Sequence, residues 1–316
     1  MKRRLLFLSL LPAAILVAQP QSPLGGLPGA PMRLGFGSFG IGMGNAMVAT
    51  RTATNAGYYN PALVAFQESR RAFASVGFLS LDRNLNFLSF STPVPPSAGL
   101  SIGLINAGVS GIDGRNSDGL KTETYSTSEN AFLLSFGARI NENLGIGVST
   151  KILYYSLYSE MSSTTASFDF GFVYRLSEEL TIGAAFQDIG SKYKWDSSKL
   201  YGTLGNTTTD FFPVRKRAGI AYTPAEIPLT AASEFELVAG ILMAKAGAEL
   251  FLTESFALRA GVDQIGVTHE LAPRPSGGFS VQASVGSLQS FLSYAVVLEP
   301  YAPGALHLLT IGVEFQ

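Results

Sequence analysis

The 316-residue chain contains no cysteine, which excludes disulfide bonds, thiolate metal sites and thiol catalysis. Charged residues are also scarce: they make up 14% of the chain, whereas soluble domains carry about 25%. Past the first twenty residues, no apolar run approaches the roughly 18 residues that a membrane-spanning helix needs. A composition typical of membrane proteins without such helices predicts a closed β-barrel, because backbone polar groups in lipid must all be paired.

Histidine occurs only twice, as His269 and His307, and the formal net charge is −1. Two histidines without cysteine predict no metal site, and a balanced charge gives no reason to expect nucleic acid as a partner. Residues 35–40 fit the G-x-G-x-x-G pattern, but prolines and glycines precede it and no acidic residue follows until Glu68. We therefore expect no cofactor and no enzymatic activity; an outer-membrane hydrolase with a Ser-His pair is the weaker alternative.

The N-terminus predicts export from the cytoplasm. Lys2, Arg3 and Arg4 precede a short apolar stretch that ends near Ala18, as in a signal peptide. The division that we predict is a signal peptide over residues 1–18, a flexible leader over 19–33, a plug over 34–70 and a barrel over 71–316.

From Arg71 onward, apolar side chains alternate with polar or small ones. Phe168, Phe170 and Phe172, for example, are separated by Asp169 and Gly171. Such alternation over about ten residues is typical of transmembrane barrel strands, whose two faces meet lipid and lumen. Counting these segments predicts an all-β fold, a transmembrane antiparallel β-barrel of about 14 strands.

Tight turns alternate with long connections along the predicted strands. Residues 141–143, 177–179 and 253–255 form tight turns, whereas residues 109–125 and 189–212 form long loops. Short periplasmic turns and longer external loops are typical of bacterial outer-membrane barrels, so we expect that location, with outer-membrane lipid as a partner. In the last strand Leu309, Ile311, Val313 and Phe315 would face lipid. The aromatic Phe315 next to the C-terminus resembles the signal that the barrel assembly machinery recognises.

The segment from Leu34 to Phe66 is too apolar for a solvated linker and too poor in large side chains to form its own core. We interpret it as a compact plug inside the barrel. Its motif resembles the N-terminal signature of FadL-type outer-membrane proteins, most closely their PorV/PorQ-like branch. The residues that carry the resemblance are Gly42, Gly44, Asn45, Tyr58, Asn60 and Pro61.

This resemblance implies a fourteen-stranded barrel with an N-terminal hatch in the lumen. One branch of the family admits hydrophobic compounds such as fatty acids. The other branch assists type IX protein secretion and binds exported cargo or secretion components. Two functions stay open: a plugged conduit for hydrophobic small molecules, and a secretion accessory barrel.

Most strand charges fall on the inward set of the alternation. The predicted members of this lumen network are Arg139, Lys151, Asp169, Arg175, Arg215, Arg217, Glu234, Glu236, Lys245, Glu249, Arg259, Asp263 and Glu314. On the lipid face each Lys or Arg near the midplane would cost about 2–4 kcal/mol, so the lumen is their expected place. Balanced signs favour a paired network that holds the plug over an ion-selective pore.

Two further features bear on the choice of function. The third strand carries Gly99, Gly103 and Gly108 around Asn106, which indicates either a kink that opens the wall to apolar ligands or simple accommodation of the plug. The loop over residues 192–212 is rich in aromatic side chains and would suit a partner or ligand. The loop residues singled out for this role are Tyr193, Trp195, Tyr201 and Phe211.

Overall fold

A computed structural model describes residues 22–51, 56–158 and 160–315, apart from the side chains of Ala56 and Val285. The predicted signal peptide lies outside these residues. The strands are β1 (Arg70–Phe78), β2 (Arg83–Val94), β3 (Ala98–Arg115), β4 (Lys121–Arg139), β5 (Leu144–Tyr158), β6 (Met161–Arg175), β7 (Leu180–Ile189), β8 (Lys192–Asp196), β9 (Thr207–Phe211), β10 (Arg215–Tyr222), β11 (Leu229–Val238), β12 (Ile241–Thr253), β13 (Phe256–Gly266), β14 (Arg274–Val285), β15 (Leu288–Val297) and β16 (Leu306–Phe315).

All of these strands except β8 and β9 join into one closed barrel. Its fourteen strands are each antiparallel to their neighbours, and β1 pairs with β16 to close the sheet. This arrangement confirms the predicted antiparallel barrel of about 14 strands.

Short helices precede the first strand. They are a 3-10 helix (Pro31–Arg33), α1 (Gly37–Gly42), α2 (Ala56–Tyr59) and a second 3-10 helix (Pro61–Phe66). Strand β1 begins only four residues after the last of them. The chain therefore passes almost directly from this helical segment into the barrel wall.

A two-stranded sheet lies in the connection between β7 and β10. It consists of β8 and β9, with a short helix α3 (Ser198–Tyr201) and a 3-10 helix (Gly202–Leu204) at its tip. This hairpin occupies the longest loop of the barrel. We call the end of the barrel that carries it the loop end, and the opposite end the turn end.

The two faces of the barrel wall have opposite chemistry, as the alternation predicts. Large apolar side chains are exposed on the outer face of the strands, among them Leu88, Phe132, Leu134, Phe136, Phe170, Phe186, Ile220, Phe235 and Leu258. In the last strand Leu309, Ile311 and Phe315 are 45%, 57% and 44% exposed, as expected of lipid-facing residues, and Val313 is half-buried. An outer surface of this kind is suited to hydrocarbon and not to water. No helix among the described residues is long and apolar enough to cross a membrane.

Two of the irregularities in strand pairing place residues with a positive φ in the wall. One lies between β6 and β7, where Asp188 has a φ of 64°, and the other between β12 and β13, where Gln264 has a φ of 58°. A β-bulge adds a residue to one strand and displaces the alternation of its side chains. Gln187 and Asp188 are therefore both buried, although they are neighbours in the sequence.

Candidate functional site

The N-terminal segment, residues 34–51 and 56–69, contacts inward-facing residues around the barrel and so occupies its lumen. We call this segment the plug. Helix α1 packs against β13–β16 and β1, whereas the 3-10 helix Pro61–Phe66 packs against β2–β6. The plug therefore meets the wall on several sides.

Glycines in the wall let the plug backbone approach the strands closely. The inward-facing examples are Gly99, Gly147, Gly171, Gly183, Gly247 and Gly261, and a Cβ at any of them would overlap a plug atom. The Met43 carbonyl, for instance, lies against Gly247, and the Gly44 amide lies against Gly261. Glycine within a strand often marks such a close approach of another backbone.

Two asparagines of the plug motif join distant parts of the chain. The Asn45 amide nitrogen donates to Asp263 Oδ2 (2.8 Å) and Leu34 O (3.1 Å), while its oxygen accepts from Tyr59 Oη (2.8 Å). Asn45 has a φ of 59°, a left-handed conformation that asparagine tolerates better than most residues.

Asn60 has a comparable role near the turn end. Its amide nitrogen donates to Val48 O (2.8 Å) and Phe172 O (3.0 Å), and its oxygen accepts from the Ala62 amide (3.0 Å). Asn60 therefore caps the 3-10 helix that begins at Pro61 and ties it to β6.

The other motif residues also lie at plug contacts. Tyr58 Oη donates to Met32 O (2.7 Å). Gly44 has a φ of 60° and lies against the backbone of Val262, whereas Gly42 faces Arg259. All six motif residues are thus placed where the plug contacts itself or the wall.

Ten of the thirteen predicted network residues are buried charges in the lumen. They are Lys151, Asp169, Arg215, Arg217, Glu234, Glu236, Lys245, Glu249, Arg259 and Asp263. Arg217 pairs with Glu234 (2.6 Å) and Arg215 with Glu236 (2.6 Å), while Lys245 lies 2.5 Å from Glu236. Pairing of this kind offsets the cost of removing each charge from water.

The network also binds the plug directly. Arg217 donates to the carbonyl oxygens of Asn45 (3.1 Å) and Tyr59 (3.3 Å). Glu234 Oε2 accepts from the Val48 amide (3.0 Å). One ion pair therefore contacts three separate points of the plug.

Arg139, Arg175 and Glu314 do not belong to this network, contrary to the sequence interpretation. Arg139 is exposed and donates to Pro96 O (3.4 Å), and Arg175 pairs with Glu178. Glu314 pairs with Arg71 (3.0 Å). These residues lie near the ends of their strands at the turn end. The alternation predicts which face of the wall a side chain lies on, but not how far along the barrel axis it lies.

Three further charged residues form ion pairs in the structure but were not predicted from the sequence: Asp188, Arg274 and Glu299. Asp188 lies 2.5 Å from Lys151, and Arg274 pairs with Glu299. The irregularity at Asp188 displaces the alternation that would have marked it as inward. The sequence pattern predicts loops over residues 265–275 and 299–303, which include Arg274 and Glu299. Arg274 is instead the first residue of β14.

Strand β3 shows no gap where the sequence suggested a kink. From Ala98 to Val109 it pairs without interruption with both β2 and β4. Gly99 lies against the plug, and Gly103 faces it. The Asn106 side chain donates to Asn130 of β4 (2.7 Å). The two glycines thus accommodate the plug, while Gly108 packs against the backbone of β4.

The aromatic loop residues divide into two groups. Tyr193 and Trp195 are buried, 3% and 9% exposed, whereas Tyr201 and Phe211 are 65% and 70% exposed. The two buried rings pack with rings from β5 and from the segment after β9 over the loop end. We call the four packed rings the aromatic cap; they are Tyr155, Tyr193, Trp195 and Phe212.

Hydrogen bonds fix the cap to its surroundings. Tyr193 Oη donates to Glu129 Oε2 of β4 (2.8 Å), and Trp195 Nε1 donates to Asp210 Oδ2 (2.7 Å). Burial raises the pKa of the Tyr193 hydroxyl above its ordinary value, which further favours the protonated form that donates to Glu129. The cap thus presents apolar ring surface, while the polar atoms of Tyr193 and Trp195 are bonded within the protein.

The lumen wall has an apolar side opposite the charged network. Its inward residues come from β1–β5 and β16: Phe73, Leu85, Phe87, Ile105, Ala107, Ala131, Leu133, Leu153, Leu306 and Leu308. They form one continuous cluster with the aromatic cap and with Phe36 and Tyr58 of the plug. An apolar surface thus runs from the loop end into the lumen.

The plug leaves little free space beside this surface. A cavity of about 10 Å³ lies next to Phe36 and Tyr58, bordered by serines of the wall. A larger cavity of about 180 Å³ at the loop end is lined by Arg33, Lys245 and other charged residues. Among the described residues, no group of three His, Asp or Glu is arranged to hold a metal ion.

No protein-family model matches the chain, and no curated protein matches its sequence. Solved structures are similar to it. The P. putida toluene transporter TodX gives a TM-score of 0.64 at 12% identity over 89% of this chain and 98% of that one. The monoaromatic hydrocarbon channel CymD gives 0.60 at 15% identity, over 89% and 97%. A Pseudomonas aeruginosa FadL homologue gives 0.60 at 11% identity, over 89% and 98%.

The chain has the fold of these channels. At such low identity the likeness shows the fold alone. The three similar structures are channels, transporters or their homologues and not enzymes, and none of them lends support to the PorV/PorQ-like branch.

Proposed function

We propose that this protein spans a bacterial outer membrane and admits small apolar molecules, with the plug as its gate. The exposed apolar residues of the outer wall support the membrane placement, and the loop end would face outward. The predicted signal peptide and the C-terminal aromatic residue Phe315 would serve export and assembly.

The observation that carries this proposal is the apolar side of the lumen. It begins at the aromatic cap and continues to Phe36 and Tyr58 through a single cluster of apolar and aromatic side chains. An apolar molecule on this side would exchange water for apolar contacts at every step, which is favourable. The charged network on the opposite side would hold the plug.

Phe36 is placed to close this route. Its ring lies 4.7 Å from Phe87, 5.2 Å from Tyr58 and 5.9 Å from Phe73, measured between ring centroids. With only about 10 Å³ free beside it, cargo would have to displace this ring. The similar structures include a toluene transporter, so a small aromatic hydrocarbon is the probe that we choose.

Phe36→Ala is expected to raise the uptake rate of radiolabelled toluene. Aromatic pairs contribute about 0.5–1.5 kcal/mol, so removal of the ring should raise the rate by roughly two- to tenfold. Uptake would be measured in host cells that lack their own channels for apolar compounds.

Phe39→Ala is the matched control. Phe39 also lies in the plug, but its ring packs on Arg259 and Phe291 and does not belong to the apolar cluster that forms the proposed route. Its replacement should leave uptake close to that of the wild type. If cells with and without the wild-type barrel took up toluene at the same rate, the conduit proposal would be wrong.

A role as a secretion accessory has less support. The exposed rings of Tyr201 and Phe211 in the β8–β9 hairpin would suit a protein partner. Leu204, 89% exposed, is a further exposed apolar side chain of this hairpin, but only the apolar side of the lumen forms one continuous cluster. We therefore do not propose this role.

A further inference from the structure

The outer wall carries a shallow apolar groove of about 660 Å³ across β1, β2 and β14–β16. Small outward-facing residues form its floor: Ala72, Ala74, Ala283 and Ser290. Larger exposed residues border it: Leu88, Val281, Leu292 and Ile311. Its volume lies within the range of about 300–1,000 Å³ that is typical of small-molecule sites.

A basic residue stands at the turn end of this groove. Arg70 lies two residues before Ala72 and so on the same outward face of β1. It is exposed, and its side chain has no hydrogen bond or ion pair with another described residue. Its neighbour Arg71 faces inward and pairs with Glu314 (3.0 Å). The Arg70 guanidinium is therefore available to bind an anion outside the barrel.

We propose that the groove binds one phospholipid of the inner leaflet, with an acyl chain along Ala72 and Ala74 and the phosphate on Arg70. The proposal rests on the membrane placement proposed above. A guanidinium matches the geometry of phosphate oxygens and can donate two parallel hydrogen bonds. Phe315 pairs with Arg70 across β1 and β16, and aromatic residues are typical of the level at which headgroups lie.

Native mass spectrometry of the delipidated protein with added dipalmitoyl phosphatidylglycerol tests this site. The wild type should retain one lipid, and Arg70→Ala should lower its affinity about tenfold, the effect of one charge-assisted contact. Ala74→Phe should fill the groove and lower retention as well. Dipalmitoylglycerol, which has the same chains without the phosphate, should bind the wild type and Arg70→Ala equally.

Ala218→Phe is the matched control for Ala74→Phe. Ala218 is an exposed residue of β10, on the opposite side of the barrel, and its replacement should leave retention unchanged. Circular dichroism would verify that each variant keeps its barrel. Retention by Arg70→Ala or Ala74→Phe equal to that of the wild type would overturn the proposal. Toluene uptake is measured separately, so that failure here is distinguishable from failure of the conduit.

Discussion

Arg217→Met is expected to lower the free energy of unfolding by about 3 kcal/mol, the lower end of the cost of breaking a buried ion pair. It removes the closer cationic partner of the buried Glu234 carboxylate and leaves only Lys245, whose Nζ lies 3.7 Å away. The substitution also removes the hydrogen bonds to Asn45 O and Tyr59 O. The plug should therefore detach more readily from the charged side of the wall. Hydrogen exchange of residues 43–48, followed by mass spectrometry, would show this as faster exchange.

Two further variants separate charge from packing. Arg217→Met combined with Glu234→Gln removes both charges and keeps an acceptor for the Val48 amide, so it should recover part of the lost stability. Arg139→Met makes the same replacement at an exposed site, where the effect should stay within about 0.5 kcal/mol. Equal exchange rates in Arg217→Met and the wild type would contradict an anchoring role for the ion pair.

The barrel could be predicted from the sequence because lipid and lumen impose opposite chemistry on alternate residues. Phe168, Phe170 and Phe172 are exposed as that pattern requires, and Asp169 is buried between them. The pattern fails where one added residue reverses the faces, and Asp188 was missed for this reason.

The contacts of the plug could not be predicted in the same way. Asn45 and Asp263 are 218 residues apart in the sequence, and no local pattern connects them. The motif indicated which plug residues matter, and the glycines of the third strand allowed accommodation of the plug as one of two alternatives. Which wall residue meets which plug residue depends on the closure of the barrel. The β8–β9 hairpin likewise lies in a segment that the sequence marked only as an aromatic loop.

Gly171→Ala is expected to loosen the plug at the turn end and to increase ion leakage through the barrel. A Cβ at this position would overlap Asn60 Oδ1, the atom that caps the 3-10 helix by accepting from the Ala62 amide. Overpacking costs about 1–3 kcal/mol, and loss of a cap costs about 0.5–2 kcal/mol. Conductance of single barrels in planar lipid bilayers would measure the leak.

Gly103→Ala provides the matched control for this prediction. Gly103 also faces the lumen, but a Cβ there would lie 3.6 Å from the nearest atom of the Phe36 ring, an ordinary contact distance. Its conductance should therefore equal that of the wild type, since no plug atom has to move. If Gly171→Ala and Gly103→Ala had the same conductance, the plug would not depend on the Asn60 cap to stay in place. The charged network alone would then have to hold it.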